Sequence, residues 1–407
     1  MTEAYIVATA RSPIGRAHKG SLRELRADDL AARMVRAALD KMPSLDPERI
    51  DDLILGCGLP GGEQGMNMGR IVAVALGLDG VPGTTVTRYC SSSVQSTRMA
   101  FHAIKAGEGD VFVSAGAESV SRMIKGSSDY IEGQDLENPR FAEATERTAK
   151  RAVGGGGVWT DPRADGLVPD PYIAMGQTAE NVASLHGITR DEQDAFAARS
   201  QQRAEKAIAD GFWSREITPV TLDDGTVVSA DDGPRAGTTV EKLATLDPVF
   251  RPDGTVTAGN ACPLNDGAAA LVIVSGRVVD ELGLQPVARI VSTGVTGLSP
   301  EIMGLGPVEA SRQALGRAGL GIDDIDLVEI NEAFAAQVIP SARELGIDEE
   351  KLNVHGGAIA VGHPFGMTGA RITTTLLNGL ESTGGRYGLE TMCVGGGQGM
   401  AMVLERL

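Results

Sequence analysis

This 407-residue chain lacks the features that would place it in a membrane, on a nucleic acid or in an oxidising compartment. No apolar run is long enough for a transmembrane helix, so no membrane span is expected. The segment Met1-Thr2-Glu3-Ala4-Tyr5 has neither a basic nor an apolar leader pattern, so no signal peptide is expected. Its four cysteines, Cys57, Cys90, Cys262 and Cys393, show no CxxC spacing. That excludes a disulfide framework and a zinc site, leaves no metal expected, and points to a reducing, cytoplasmic setting. Basic residues are outnumbered, 37 against 54 acidic, for a net charge of −17. Such a balance argues against nucleic acid as a partner, although a few local arginines or helix N-termini can still hold an anionic ligand. Aromatics are only 4%, so the core is not built on large rings.

What is abundant is glycine, at 53 residues, which suggests tight turns and close backbone approaches. The length suits two or three domains. Short apolar strands at Ala4–Thr9, Ile50–Gly56, Thr84–Thr87 and 110–116 alternate with helices at Ala27–Leu39, Met68–Leu76 and 94–106. This rhythm predicts an α/β fold. The order recurs later in the chain: Asp51–Leu55 resembles 324–329, and Val111–Gly116 resembles Thr391–Gly396. A duplicated unit is one reading; chance likeness between short apolar strands is the other. From Ser121 to about Gly259 the rhythm stops. There the sequence predicts one helix, Arg190–Ala209, with a capping box at Thr189 and Glu192. Gly154–Gly157 reads as a loop, not a phosphate cradle, because no strand precedes it. The regular pattern resumes at Gly267–Val274, a helix end or a buried strand.

The stretch from Val86 to Gln95 reads as strand, tight turn and helix, with Cys90 at the helix N-terminus. Free N–H groups and partial positive charge there favour a thiolate nucleophile. A small buried hydrophobe is the plainer reading. A nucleophile also needs a base. His363, fixed between Gly362 and Pro364, reads as an exposed imidazole near neutral pKa, or else as a structural turn residue. Cys393 precedes Gly395-Gly396-Gly397, whose N–H groups can serve as oxyanion donors; alternatively it is a buried strand cysteine.

The Cys90 turn, Asn331-Glu332-Ala333-Phe334, Gly362-His363-Pro364 and Cys393 to Gly397 together resemble the thiolase family, over nearly the whole chain. The resemblance implies two similar βαβαβαββ halves in αβαβα layers, with an inserted loop domain. The expected division is 1–120 for the first half, 121–259 for the insert, 260–280 for completion of the first half and 281–407 for the second. It implies that Cys90 is the acylated nucleophile and His363 its activating base and a donor to the thioester oxygen. It further implies that Asn331 completes the first oxyanion hole through a water, that Cys393 is the acid/base, and that the N–H groups of Cys90 and Gly395 form the second oxyanion hole. No cofactor is tightly bound in such enzymes; acyl-CoA and CoA are the small-molecule partners. Arg235, Met175, Leu167, Ala258, Cys262, Ala174 and Phe334 fall at CoA- or substrate-lining positions of the insert and its flanks.

Three departures qualify that likeness. Ala174 stands where enzymes that condense two acetyl-CoA usually have histidine, which favours a degradative 3-ketoacyl-CoA thiolase with a roomier acyl site, as in fatty-acid β-oxidation. Cys262 replaces a serine, and His355 an asparagine; His355 reads as structural. A condensing enzyme of the ketoacyl-synthase type, an acetoacetyl-CoA-forming acetyltransferase and a non-catalytic acyl-CoA-binding subunit of a β-oxidation assembly are the competing readings. A homodimer or homotetramer with twofold symmetry is expected.

Overall fold

The computed structural model describes residues 2–123, 132, 137–154 and 157–407. The strands are β1 (Ala4–Arg11), β2 (Asp52–Gly56), β3 (Gly83–Val86), β4 (Val111–Ser119), β5 (Asn265–Ser275), β6 (Ala288–Gly297), β7 (Leu327–Ile330), β8 (Tyr387–Val394) and β9 (Gln398–Arg406). They line up in the order β7-β8-β9-β6-β1-β5-β4-β2-β3. The two flanks of this order repeat each other. β2 is parallel to β4 and β4 antiparallel to β5; β7 is parallel to β8 and β8 antiparallel to β9. The two segment pairs that look alike in sequence therefore occupy equivalent positions: β2 with β7, and β4 with β8. The halves meet where β1 pairs with β6 at Tyr5 and Ile6.

Alternation along the strands builds the layers. In β5, Ala268, Ala270, Val272 and Val274 face the outer core with α1 (Ala27–Leu39) and α2 (Met68–Ala75). Ala269, Leu271 and Ile273 face the opposite way, into a central core. In β9 the same split sends Met400, Met402 and Leu404 to the central core and Ala401 and Val403 to the far outer one. A strand buried on both faces must be apolar throughout, which is why Gly267–Val274 is a strand and not a helix end.

The central layer holds α3 (Ser92–Ala106) and a helix at Thr368–Thr383. These two helices carry small and hydroxyl residues where they meet. The Ala370 N–H donates to Ser93 Oγ at 2.9 Å, and a Cβ on Gly369 would lie 2.5 Å from the Val94 nitrogen. Hydroxyls of Thr373, Thr374 and Thr375 bond back to carbonyls four residues earlier, so polar side chains are satisfied inside an apolar layer.

Residues from Ser121 to Gly259 hold more order than the sequence indicates. The helix α6 (Arg190–Ala209) has its capping box at Thr189 and Glu192. Two further helices, α4 (Ala142–Val153) and α5 (Met175–His186), lie where irregular chain was expected. α5 is buried from Gly176 to Ala183, with no polar stripe to reveal its period. Within Gly154–Gly157, Gly155 and Gly156 lie outside the described residues.

Two buried carboxylates pin the loops at the C-terminal ends of the strands. Glu118, at the end of β4, accepts from the N–H groups of Gly58 (2.7 Å), Leu59 (3.2 Å) and Gly366 (2.9 Å). One side chain thus joins a loop of the first half to the His363 loop of the second. Glu332 accepts from Ser200 Oγ (2.6 Å), Asn353 Nδ2 (2.8 Å) and the Ile359 N–H (3.1 Å), tying α6 to the second half. Glu118→Ala leaves three buried N–H groups without their acceptor. At about 1–3 kcal/mol each, that change is expected to lower the urea unfolding midpoint clearly; an unchanged midpoint would contradict this role.

Candidate active site

β3 ends at Val86, and a 3-10 turn over Tyr89–Ser91 leads into α3. Tyr89 takes a left-handed conformation, φ 44°, which is costly for a non-glycine residue and is imposed by the tight turn. The turn presents Cys90, 9% exposed, with the N–H groups of Cys90 and Gly395 both directed at its sulfur. These donors come from opposite halves of the fold. Burial nevertheless dominates: it pushes the Cys90 thiol up to about 12, against the lowering effect of the two N–H groups. This corrects the expectation that the helix N-terminus makes a resting thiolate. A charge in a desolvated site costs more than the end of one helix returns.

His363 is likewise corrected from an exposed to a buried side chain, 1% exposed. Burial, with the nearby charge of Arg371, holds its imidazole down to about 3, so it is neutral. Its tautomer follows from its neighbours. Thr368 Oγ donates to the Pro364 carbonyl at 2.7 Å, so this hydroxyl can only accept from His363 Nδ1, 2.6 Å away. The proton therefore sits on Nδ1, and the Nε2 lone pair accepts from Asn331 Nδ2 at 3.2 Å. Asn331 Oδ1 is buried without a donor, and the peptide of His363 is held by Asn265 Oδ1 at 2.9 Å. Thr368, Asn265 and Glu118 were not among the residues singled out in the sequence. Thr368 could have been found from its place at the start of a helix five residues after His363.

Cys393 is the penultimate residue of β8, fully buried. Beyond it Gly396 and Gly397, with φ of 76° and 82°, make the sharp return into β9. Cys262 reaches the same region because its N–H donates to the Ala333 carbonyl at 3.0 Å. Cys90, Cys262 and Cys393 lie close enough to perturb one another, and burial raises all three thiols. Phe334 packs in one apolar cluster with Cys393, and Met175 and Cys262 lie against it. A Cβ on Gly395 would lie 3.3 Å from the Tyr89 ring and 3.7 Å from Met175 Sδ.

The remaining sequence candidates are more peripheral. Ala174 is exposed and caps α5 just before Met175. Leu167 and Ala258 are exposed and stand outside the cluster around Cys393. Arg235 is exposed near Arg16, and desolvation and that neighbouring charge lower its pKa. His355 stacks on Phe212 with ring centroids 3.5 Å apart, a structural position apart from Cys90. Among the described residues no group of three His, Cys, Asp or Glu is placed to hold a metal, and no helix is long and apolar enough to cross a membrane.

The arrangement is a neutral thiol, a neutral imidazole whose Nε2 lone pair faces the Asn331 amide, a second buried thiol and N–H donors aimed at one sulfur. It is equipped for acyl transfer through a covalent thioester. Comparison with known proteins agrees with that chemistry. Residues 4–277 match the model of the thiolase N-terminal domain, and residues 284–406 that of the thiolase C-terminal domain. The chain is 44% identical to a β-ketoadipyl-CoA thiolase of Pseudomonas aeruginosa, covering 100% of this chain and 99% of the relative. It is 43% identical to a 3-ketoacyl-CoA thiolase of Bacillus subtilis, with both chains covered completely. Human mitochondrial 3-ketoacyl-CoA thiolase in complex with CoA superposes with a TM-score of 0.85 at 37% identity, over 100% of this chain and 98% of that one.

A thiol lifted to about 12 gains thiolate about tenfold per pH unit below that value. Alkylation of Cys90 by iodoacetamide in the free protein should therefore keep rising through pH 9. A rate that levels off by pH 7 would show a resting thiolate instead.

Proposed function

The chain belongs to the thiolase family, and we propose that it cleaves 3-ketoacyl-CoA with CoA to give acetyl-CoA and an acyl-CoA shorter by two carbons. The observation that supports this best is the convergence, from both halves of the fold, of Cys90, Gly395 and Cys393, with the neutral His363 on a loop that packs through its following helix against the Cys90 helix. As Cys90 Sγ attacks the 3-keto carbon, His363 Nε2 gives up the Asn331 hydrogen bond and takes the thiol proton. The N–H groups of Cys90 and Gly395 receive the developing oxyanion. The carbon–carbon bond then breaks. The leaving acetyl-CoA enolate has its thioester oxygen held by the His363 Nε2 proton and by Asn331 through a water, and Cys393 protonates its carbon. In the second half Cys393 takes the proton of incoming CoA. The CoA sulfur attacks the acyl-Cys90 thioester, and His363 returns the proton to Cys90.

Starting from uncharged groups fits this sequence. Each ion pair forms only while the substrate is in place, when dedicated donors face the negative charge. CoA is a co-substrate in this scheme, and the insert at 121–259, with Arg235, Met175, Leu167 and Ala258, together with Cys262 just beyond it, supplies its binding surface. A twofold homodimer or homotetramer in the cytoplasm, acting in fatty-acid or related β-oxidation, completes the proposal. The β-ketoadipyl-CoA relatives favour a second acyl class, a chain ending in a carboxylate.

Ala174 is small and exposed beside Met175, whose flexible thioether can repack around varied acyl groups. Each buried methylene can add up to ~0.8 kcal/mol, about fourfold per carbon. We expect kcat/KM for cleavage to rise from acetoacetyl-CoA to medium-length or bulkier 3-ketoacyl-CoAs. Ala174→His should reverse that order. A panel that includes 3-oxoadipyl-CoA decides between the acyl classes. Acetoacetyl-CoA as best substrate, with an unchanged profile in Ala174→His, would contradict the degradative reading.

A further inference from the structure

Arg88 stands two residues before Cys90, half-buried, with no carboxylate partner among the described residues. Its charged neighbours are cations, Arg98 and, beyond it, Arg317. Burial lowers its pKa, so the guanidinium occupies an unfavourable position. What it gains is two neutral amides on opposite halves of the fold. Nε donates to Gln95 Oε1 on α3 at 3.0 Å, and Nη1 donates to Gln398 Oε1 at 2.5 Å. A carboxylate in place of either amide would add negative charge beside the site where an oxyanion forms. Amides give the guanidinium acceptors without that charge.

Both ends of this clasp are rigid. The Arg88 N–H donates to Ser92 Oγ at 2.9 Å, and Ser92 Oγ donates to the Tyr89 carbonyl at 2.7 Å, which closes the turn on itself. Gln398 opens β9 and pairs with both Val394 and Gly297. A Cβ on Gly306 would lie 2.2 Å from the Gln398 carbonyl, so that backbone has no room to move. Between these ends lie the two segments whose N–H groups face Cys90 Sγ. Cys90 follows Arg88 by two residues, and Gly395 precedes Gln398 by three. Among the described residues Arg88–Gln398 is the hydrogen bond between two side chains that joins these turns; the Gly395 N–H facing Cys90 Sγ and the Tyr89 ring lying against Gly395 and Gly396 are the further contacts between them.

We propose that Arg88 is a positioning residue that fixes the spacing of the Cys90 and Gly395 N–H groups by clasping Gln398 from the Cys90 turn. The inference rests on the reading that these two N–H groups stabilise the oxyanion on the carbon that Cys90 attacks. The side-chain hydrogen bonds of Arg88 go to Gln95 and Gln398, not to Cys90, His363 or Cys393. Arg88 acts by holding one half of the fold at a set distance from the other, where a small misplacement is costly. Losing a donor outright costs about 100- to 1000-fold in rate, and a displaced donor should cost less.

The test uses full-length Arg88→Met, Gln398→Met and the double variant, with steady-state cleavage and single-turnover acylation followed together. Each single variant should lower kcat and the acylation rate by about 10- to 100-fold. KM should move by less than about threefold, because the ground-state contacts are intact. The double variant should be no slower than the slower single variant, within about threefold, because both break one contact. A single variant that keeps at least half of the wild-type kcat, or losses that multiply in the double variant, would overturn the inference. If Arg88→Met does not fold, Gln398→Met decides by the same kcat criterion. Wild-type protein with a 3-ketoacyl-CoA and no CoA separates this inference from the reading beneath it. Absence of an acyl adduct on Cys90 overturns that reading; an adduct with unaffected variants overturns the Arg88 clasp alone.

Discussion

Desolvation sets the starting state of this site. Cys90, Cys393 and His363 are buried deeply enough that each is held in its uncharged form. A preformed thiolate–imidazolium pair would need to recover its hydration energy from the protein. The structure instead keeps neutral groups and surrounds them with fixed donors: two backbone N–H groups at the Cys90 sulfur and the Asn331 amide at His363 Nε2. The imidazole tautomer is part of the same economy. Thr368, itself committed to the Pro364 carbonyl, leaves Nδ1 only one role, so the lone pair is on Nε2, where the Asn331 amide meets it.

Such a site depends on loops from both halves staying in register. Glu118 and Glu332 do this with buried carboxylates, each saturated by hydrogen bonds. Their loss would release several elements together, since each carboxylate serves donors far apart in sequence. The central layer contributes in another way. Glycine and serine at the contact between α3 and the Thr368–Thr383 helix allow the Cys90 and His363 segments to approach closely. Larger side chains there would separate the Cys90 and His363 segments. Arg88, in the account proposed above, adds the cross-link between the Cys90 turn and the turn after Cys393.

Much of this was legible in the sequence where the signal is local. The limits of α1 and α6, the capping box at Thr189, the strand–turn–helix around Cys90 and the parallel placement of β2 with β7 follow from periodicity, caps and short-range likeness. α4 and α5 were missed. α5 is buried on most sides and has no amphipathic stripe to read. The charge states were misjudged for a related reason. A helix N-terminus and a Gly-His-Pro turn are visible in the chain, whereas burial comes from residues hundreds of positions away. Glu118 shows the same limit: in sequence it is one acid at the end of a strand, and only the fold reveals that it holds Gly366. The candidate cysteines and His363 could be singled out because their motifs are compact. Their supporting residues are dispersed, and no spacing rule connects them.

The central claim is covalent catalysis at Cys90 from a neutral resting state. Intact-protein and peptide mass spectrometry of the protein mixed with a 3-ketoacyl-CoA in the absence of CoA tests it most directly. The account predicts one acyl group per chain, attached at Cys90, with one equivalent of acetyl-CoA released and the adduct cleared on adding CoA. An unmodified Cys90, or an acyl group carried instead by Cys262 or Cys393, would contradict it.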